Sequence, residues 1–102
     1  MVIKIVRNDK GVPAGKLADA EVFFDEHEGD LAGLKLVGFA VWERRAGPGR
    51  TVTFPARQYS VNGERRSFAL LRPGADTAGQ DRMRDLVLQA YAEVEAQAAV
   101  AG

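Results

Sequence analysis

The sequence contains no cysteine, and histidine occurs only once, at position 27, among its 102 residues. The absence of cysteine excludes disulfide bridges, thiolate metal ligands and a cysteine nucleophile. No run of about 18 apolar residues is present, so we expect no membrane span. The apolar stretch after Met1 is too short for a signal peptide. These absences favour a cytoplasmic protein with no membrane partner.

Residues that could support catalysis or metal binding do not form a known motif. The segment 25–28, Asp-Glu-His-Glu, lacks the spacing of a zinc site, and no serine lies in a Gly-x-Ser-x-Gly motif. The Gly-Pro-Gly-Arg segment 47–50 lacks the Gly-Lys-Ser/Thr ending of a phosphate-binding loop. We therefore predict a protein with no catalytic residues, no metal site, no cofactor and no small-molecule substrate.

The charges balance over the whole chain but are segregated along it. Lys and Arg total 14, as do Asp and Glu, yet residues 19–30 carry only acids. Residues 43–72 contain two glutamates and seven basic residues, all arginine: Arg44, Arg45, Arg50, Arg57, Arg65, Arg66 and Arg72. An arginine-rich stripe can bind nucleic acid even when the chain is neutral. Alternatively, these arginines are solvated and paired with the acids of residues 19–30.

Short alternating segments predict a series of β-strands. Asn62-Gly63 is a strong signal for a two-residue hairpin turn, and Gly38 indicates a bulge or a close backbone approach. The predicted strands are Val2–Val6, Leu17–Asp25, Leu34–Trp42, Thr51–Phe54, Tyr59–Val61 and Ser67–Leu71.

A helix is predicted after Pro73-Gly74, because apolar residues recur there at helical spacing. They are Met83, Leu86, Val87, Ala90, Tyr91 and Val94. We therefore predict an α+β fold, in which a mostly antiparallel sheet of about four to five strands is followed by one C-terminal helix. The chain is predicted to be a single domain over residues 1–102.

The strand predicted at Leu34–Trp42 is apolar on both faces, whereas one helix can cover only one face of a sheet. A lone protomer would then expose an apolar patch, which usually marks a contact. We therefore predict a homodimer whose interface includes Leu36, Phe39, Val41 and Trp42.

The tetrad Phe54-Pro55-Ala56-Arg57 combines an aromatic ring with a cation at the end of a strand. Such a pair can stack on or clamp a nucleic-acid strand. Equally, Phe54 can be a core residue beside a structural turn, and the sequence leaves both interpretations open.

The order of these segments resembles the SpoVG (stage V sporulation protein G, septation regulator) family of small bacterial proteins. The resemblance extends from about Val2 to Glu95. The segments that carry it are Phe54-Pro55-Ala56-Arg57, Gly63-Glu64-Arg65-Arg66-Ser67-Phe68, Leu71-Arg72-Pro73 and Arg84-Asp85-Leu86-Val87-Leu88-Gln89-Ala90-Tyr91.

The resemblance implies a sheet plus a helix, a homodimer formed by strand pairing, and sequence-tolerant binding of DNA and RNA in a regulatory role. It also implies no cofactor and no catalysis. Arg57 matches the basic member of the family's tetrad, and Arg66 matches the arginine of the strand that follows. The chain departs from the family pattern at Ala56, which stands in place of the tetrad's serine, and in a helix start that mixes Arg82 and Arg84 with acids. We therefore assign nucleic-acid binding to the strand arginines.

Two functional hypotheses follow from the sequence. The first is a dimeric DNA- or RNA-binding regulator that uses the seven arginines. The alternative is a non-catalytic interaction module of the same fold whose arginines meet an acidic protein partner. In the first case we expect the acidic strand Leu17–Asp25 to lie away from the arginines. If the loop segment that carries Arg44, Arg45 and Arg50 pairs with the following β segment, their arginines can share one side of the sheet.

Overall fold

The computed structural model describes residues 1–101 and has the predicted α+β fold, with the helix at the C-terminal end. The elements are β1 (Val2–Arg7), β2 (Lys16–Phe23), a kinked 3₁₀ segment (Glu26–Leu31), β3 (Lys35–Glu43), β4 (Arg50–Thr53), β5 (Ala56–Val61), β6 (Glu64–Ala69) and α1 (Ala78–Ala101). The main difference from expectation is that the strands form two sheets, one of four strands and one of two.

The four-stranded sheet has the order β1-β2-β3-β4, and every pairing is antiparallel. Strand β2 alternates as predicted: Ala18, Ala20 and Val22 are buried, whereas Asp19 between them is exposed. Because side chains alternate between the two faces of a strand, this pattern identifies one face of the sheet as the core face.

Helix α1 covers that core face and closes the hydrophobic core. Val87 and Tyr91, one helical turn apart, are its buried residues, and Met83 packs against the same cluster. From the sheet, the core receives Ala18, Ala20, Val22, Phe39 and Val41. The helical periodicity read from the sequence is therefore confirmed.

The predicted dimer interface is wrong for two of its four residues, Phe39 and Val41. Phe39 and Val41 are fully buried in the protomer's own core, and Leu36 packs against that core. Only Trp42 lies on the opposite face of the sheet, where its indole Nε1 donates a hydrogen bond to Thr53 Oγ1 at 2.9 Å. The helix accounts for the apolar residues on the core face of β3, so Phe39 and Val41 give no evidence of a second copy.

Gly38 lies both at a bulge and at a close backbone approach, the two features that a glycine within a strand indicates. The pairing of β2 with β3 shifts between Ala20 and Val22, opposite Gly38, whose φ is 110°. A Cβ built on Gly38 would lie 3.1 Å from the Cβ of the buried residue Pro55. The bulge therefore lets the chain after β4 cross close to β3 and leave the sheet.

Strands β5 and β6 form a separate hairpin, which we call the arm (residues 56–69). Its turn is the predicted Asn62-Gly63, with positive φ at both residues. All twelve strand residues of the arm are exposed. The radius of gyration is 15.1 Å, against about 13 Å for a compact domain of this length, which agrees with an arm that projects from the body.

Candidate nucleic-acid interface

The seven candidate arginines do not form one continuous surface. Arg44 and Arg45 are exposed in the β3–β4 loop, which lies at the end of β4 opposite to the point where the arm begins. Because the arm does not pair with the four-stranded sheet, the condition under which the arginines of both segments would share one side of a sheet is not met. The loop and the arm are two separate cationic regions.

Arg50 contacts the body of the protein, so its assignment to the predicted nucleic-acid-binding set is wrong. Its Nη2 atom lies 2.8 Å from Glu95 Oε2 on α1, and its guanidinium lies 5.9 Å from the centre of the Tyr91 ring. The hydrogen bond to Glu95 raises the pKa of Arg50, so the guanidinium stays charged and paired. Arg50 therefore connects β4 to the helix and does not present a free cation.

The arm has two faces of different chemistry, because residues paired across an antiparallel hairpin share a face. Arg57 pairs with Phe68, and Tyr59 pairs with Arg66. The guanidinium of Arg72 lies 4.1 Å from the centre of the Phe68 ring, which puts it on the same side. We call this set the aromatic–arginine face: Arg57, Tyr59, Arg66, Phe68 and Arg72.

Arginine and aromatic side chains alternate on the aromatic–arginine face. The side chains of Tyr59 and Phe68 are 41% and 48% exposed, and together with Arg57 they line an open groove of about 390 Å³. Arg72 is fixed over the Phe68 ring by a hydrogen bond from its Nε to the carbonyl of Ala69 at 3.0 Å. The turn end of the same face carries one acid, Glu64, which pairs across the hairpin with Val61 and lies 3.3 Å from Arg66.

The opposite face of the arm carries polar side chains and no aromatic ring, and Arg65 lies on it. Arg65 pairs with Ser60, and Gln58 pairs with Ser67 on the same side, where Gln58 Nε2 donates to Ser67 Oγ at 3.2 Å. The adjacent arginines Arg65 and Arg66 therefore point to opposite sides of the hairpin, so they cannot contact one ligand in the same way.

The acidic segment lies away from the arm, as expected for an accessible cationic surface. Its acids pair with lysines, with the N-terminal ammonium and, within the segment, with His27: Lys16–Asp19 at 2.6 Å, Lys35–Glu21 at 3.7 Å, Met1–Asp25 at 2.6 Å, Met1–Glu28 at 2.7 Å and His27–Glu26 at 3.9 Å. Of the ion pairs in residues 1–101, none joins this segment to the seven arginines.

Phe54 is half-buried and packs against the core, which supports the core interpretation of the tetrad. Its ring packs edge-on against Phe39 with centroids 5.3 Å apart, and Pro55 beside it is buried. In the tetrad, therefore, only Arg57 is placed to meet a ligand. The aromatic residues available for contact are Tyr59 and Phe68, which the sequence did not single out as candidates.

A signal for these two aromatics was present in the sequence. Once Asn62-Gly63 is taken as a two-residue turn, counting outward pairs Tyr59 with Arg66 and Arg57 with Phe68. The turn alone thus fixes which side chains share a face. What the turn does not specify is that nothing else in the chain covers that face.

Other kinds of site receive no support from the described residues. In residues 1–101, no group of three or more His, Asp or Glu side chains is arranged to hold a metal ion. No helix in that range is long and apolar enough to cross a membrane. Comparisons of the chain with protein-family models, with curated proteins and with solved structures found no match.

Proposed function

We propose that this protein is a nucleic-acid-binding regulator that uses the aromatic–arginine face of the arm, the role that the resemblance to the SpoVG family implies. The observation that carries the proposal is the grouping of Arg57, Arg66 and Arg72 with two exposed aromatic rings on one side of a projecting hairpin. Arginine and aromatic side chains together bind phosphates and bases.

The electrostatics of the arm support this choice of ligand. The segment from Ala56 to Arg72 contains four arginines and one acid, Glu64, so its net charge is 4 − 1 = +3. Four of the six acids in residues 19–30, namely Asp19, Glu21, Asp25 and Glu28, pair with lysines or with the N-terminal ammonium. A polyanion is therefore attracted to the arm although the whole chain carries no net charge.

We also propose that the protein acts as a homodimer, as the resemblance implies. The edge strand β1 exposes the apolar side chains of Val2 and Val6. Strands β1 and β4 are the edges of the four-stranded sheet and have backbone groups available for strand pairing. Light scattering at micromolar concentration tests this: a mass of twice 11.0 kDa supports the proposal, and a monomer contradicts it.

Salt dependence of binding tests the nucleic-acid proposal. Labelled DNA of arbitrary sequence is titrated with the protein at several salt concentrations, and the logarithm of the association constant is plotted against the logarithm of salt. Counterion release predicts a negative slope of about 0.7–0.9 per phosphate contacted. The double variant Arg57→Ala/Arg66→Ala should bind more weakly at every sequence and reduce the slope by about two.

Arg65→Ala is the matched control, because it removes the same charge from the opposite face of the same strand. It should change the slope by less than half as much as Arg66→Ala alone. If the protein binds no DNA or RNA at low salt, or if the folded double variant binds as the wild type does, the proposal is wrong. The arginines would then be better accounted for by an acidic protein partner.

A further inference from the structure

We infer that the aromatic–arginine face selects single-stranded nucleic acid, by stacking unpaired bases on Tyr59 and Phe68 while the arginines hold the flanking phosphates. This inference rests on the proposed function and names the form of nucleic acid that the same site takes. The observations behind it are the exposure and the arrangement of the two rings. The positive charge of the arm does not account for either of them.

Neither ring is buried by the body of the protomer: Tyr59 is open, and Arg72 lies over one face of Phe68 while the rest of that ring remains exposed for a base. Tyr59 and Phe68 are on a hairpin whose strands contact no other part of the fold closely enough to bury any residue. Aromatic side chains bury large areas when a partner is available, so they are usually covered. Two half-exposed rings on one face therefore indicate a ligand with apolar surface as well as negative charge.

The arrangement of the face suits a flexible strand of nucleotides. Each ring lies across from an arginine, since Tyr59 pairs with Arg66 and Phe68 pairs with Arg57. Tyr59 and Phe68 are diagonal neighbours across the hairpin, and the backbones of such residues lie about 7–8 Å apart. That separation allows each ring to take a different base, with a guanidinium beside each one to meet the backbone.

A duplex cannot use this face in the same way. In double-stranded DNA the bases are stacked on one another, so only their edges are accessible in the grooves. An unpaired base offers its whole π-face, and stacking on an aromatic side chain is tolerant of sequence. Solvent-facing aromatics on β-strands are also how sheet-based modules bind single-stranded RNA.

Competition between strand forms tests the inference with one labelled oligonucleotide. A fluorescein-labelled 20-nucleotide strand of mixed sequence is titrated by anisotropy, alone and after annealing to its complement, with full-length protein at fixed salt. We expect the single strand to bind at least tenfold more tightly than the duplex. Tyr59→Leu and Phe68→Leu should each weaken single-strand binding by about tenfold and leave duplex binding unchanged.

Tyr59→Phe is the matched control, because it keeps the ring and removes only the hydroxyl, and it should bind as the wild type does. Thermal melts of all variants establish that the body is folded, and since Tyr59 is outside the core they should coincide. Equal or tighter binding of the duplex, or full single-strand affinity in both leucine variants, would overturn the inference and leave the proposed function intact. Binding of neither form would overturn both.

Discussion

The four-stranded sheet and the arm are built from strands of the same alternating kind, but they end in opposite environments. In the sheet, the inward residues Val22, Phe39 and Val41 are fully buried beneath α1. In the arm, Tyr59 and Phe68 occupy equivalent alternate positions and remain exposed. The sheet thus derives its stability from the helix, whereas the arm has only its own backbone pairing and cross-strand contacts.

The sheet and helix therefore stabilise the fold, whereas the arm is the region available to bind a ligand. Arginines that lie near the helix are used in packing, as Arg50 is with Glu95 and Tyr91. The arginines of the arm are exposed to solvent, and no core packing depends on them. Substitutions in the two regions should therefore affect different measurements, stability in the body and affinity in the arm.

The largest expected effect comes from truncating the same residue type in both regions. Phe39→Ala should lower the free energy of unfolding by about 3–5 kcal/mol, because it leaves a cavity in a closed core. Phe68→Ala should lower it by less than about 1 kcal/mol, because a half-exposed side chain loses little burial. Urea denaturation followed by the fluorescence of Trp42, the single tryptophan, measures both.

The contrast between a buried sheet and an exposed arm would be wrong if Phe68→Ala destabilised the protein as much as Phe39→Ala. That result would mean that the arm is covered in solution, and a concentration-dependent midpoint would identify the cover as a second copy. A small loss of stability in Phe68→Ala that does not depend on protein concentration would show that the arm is exposed in solution.

The connection between sheet and arm is tested at Gly38. Gly38→Ala should cost about 1–3 kcal/mol, because its φ of 110° is strained for an L-residue and the new methyl group would lie 3.1 Å from Pro55 Cβ. Gly74→Ala is the control, since nothing lies within 4 Å of its added Cβ. We expect the control to melt within a few degrees of the wild type, and equal losses in both variants would contradict the role of the crossing at Pro55.

Much of the fold was predictable because local signals agreed with the final packing. The hairpin turn at Asn62-Gly63, the alternation around Ala18 and Ala20 and the helical spacing of Val87 and Tyr91 each depend on backbone geometry over a few residues. Gly38 was also identified correctly, because glycine inside an apolar strand weakens the strand and is typical of a bulge or a close backbone approach. The fold class followed from the order of these segments.

The candidate site was less predictable, because it depends on what covers each face. Strand β3 is apolar on both faces, a pattern that suits an inner strand as well as a dimer interface, and only the position of α1 decides for Phe39 and Val41. In the same way, seven arginines form one cluster in the sequence, yet the departure of the chain at Pro55 separates Arg44 and Arg45 from the arm. Such long-range placement leaves no mark in local sequence.

A smaller effect is expected at the ion pair that joins β4 to the helix. Glu95→Gln should lower the free energy of unfolding by about 0.5–1 kcal/mol, the usual range for a partly exposed pair, and high salt should reduce the difference. Glu93→Gln is the control, because Glu93 makes no ion pair in residues 1–101. Nucleic-acid affinity should be the same in both variants, and a selective gain in Glu95→Gln would return Arg50 to the binding surface.

The smallest effect concerns Asp25, at the far end of the sheet from the β3–β4 loop. The hydrogen bond from the Met1 ammonium, together with the one from the backbone N–H of His27, holds the pKa of Asp25 well below its usual range. Because the unfolded chain then binds more protons than the folded one as the pH falls, this carboxylate stabilises the fold at neutral pH and loses that effect in acid.

Asp25→Asn isolates this charge, since asparagine can still cap the 3₁₀ segment through its side-chain oxygen. The variant should melt slightly below the wild type at pH 7, and the gap should close as the pH falls below about 4, where the unfolded carboxyl takes up its proton. Asp30→Asn removes the same charge from the same segment, where Asp30 is exposed, and should show no such convergence. A gap for Asp25→Asn that stays constant from pH 7 to pH 2 would assign the effect to capping geometry. Because the arm contains no part of this network, its nucleic-acid affinity at pH 7 should be unchanged in both variants.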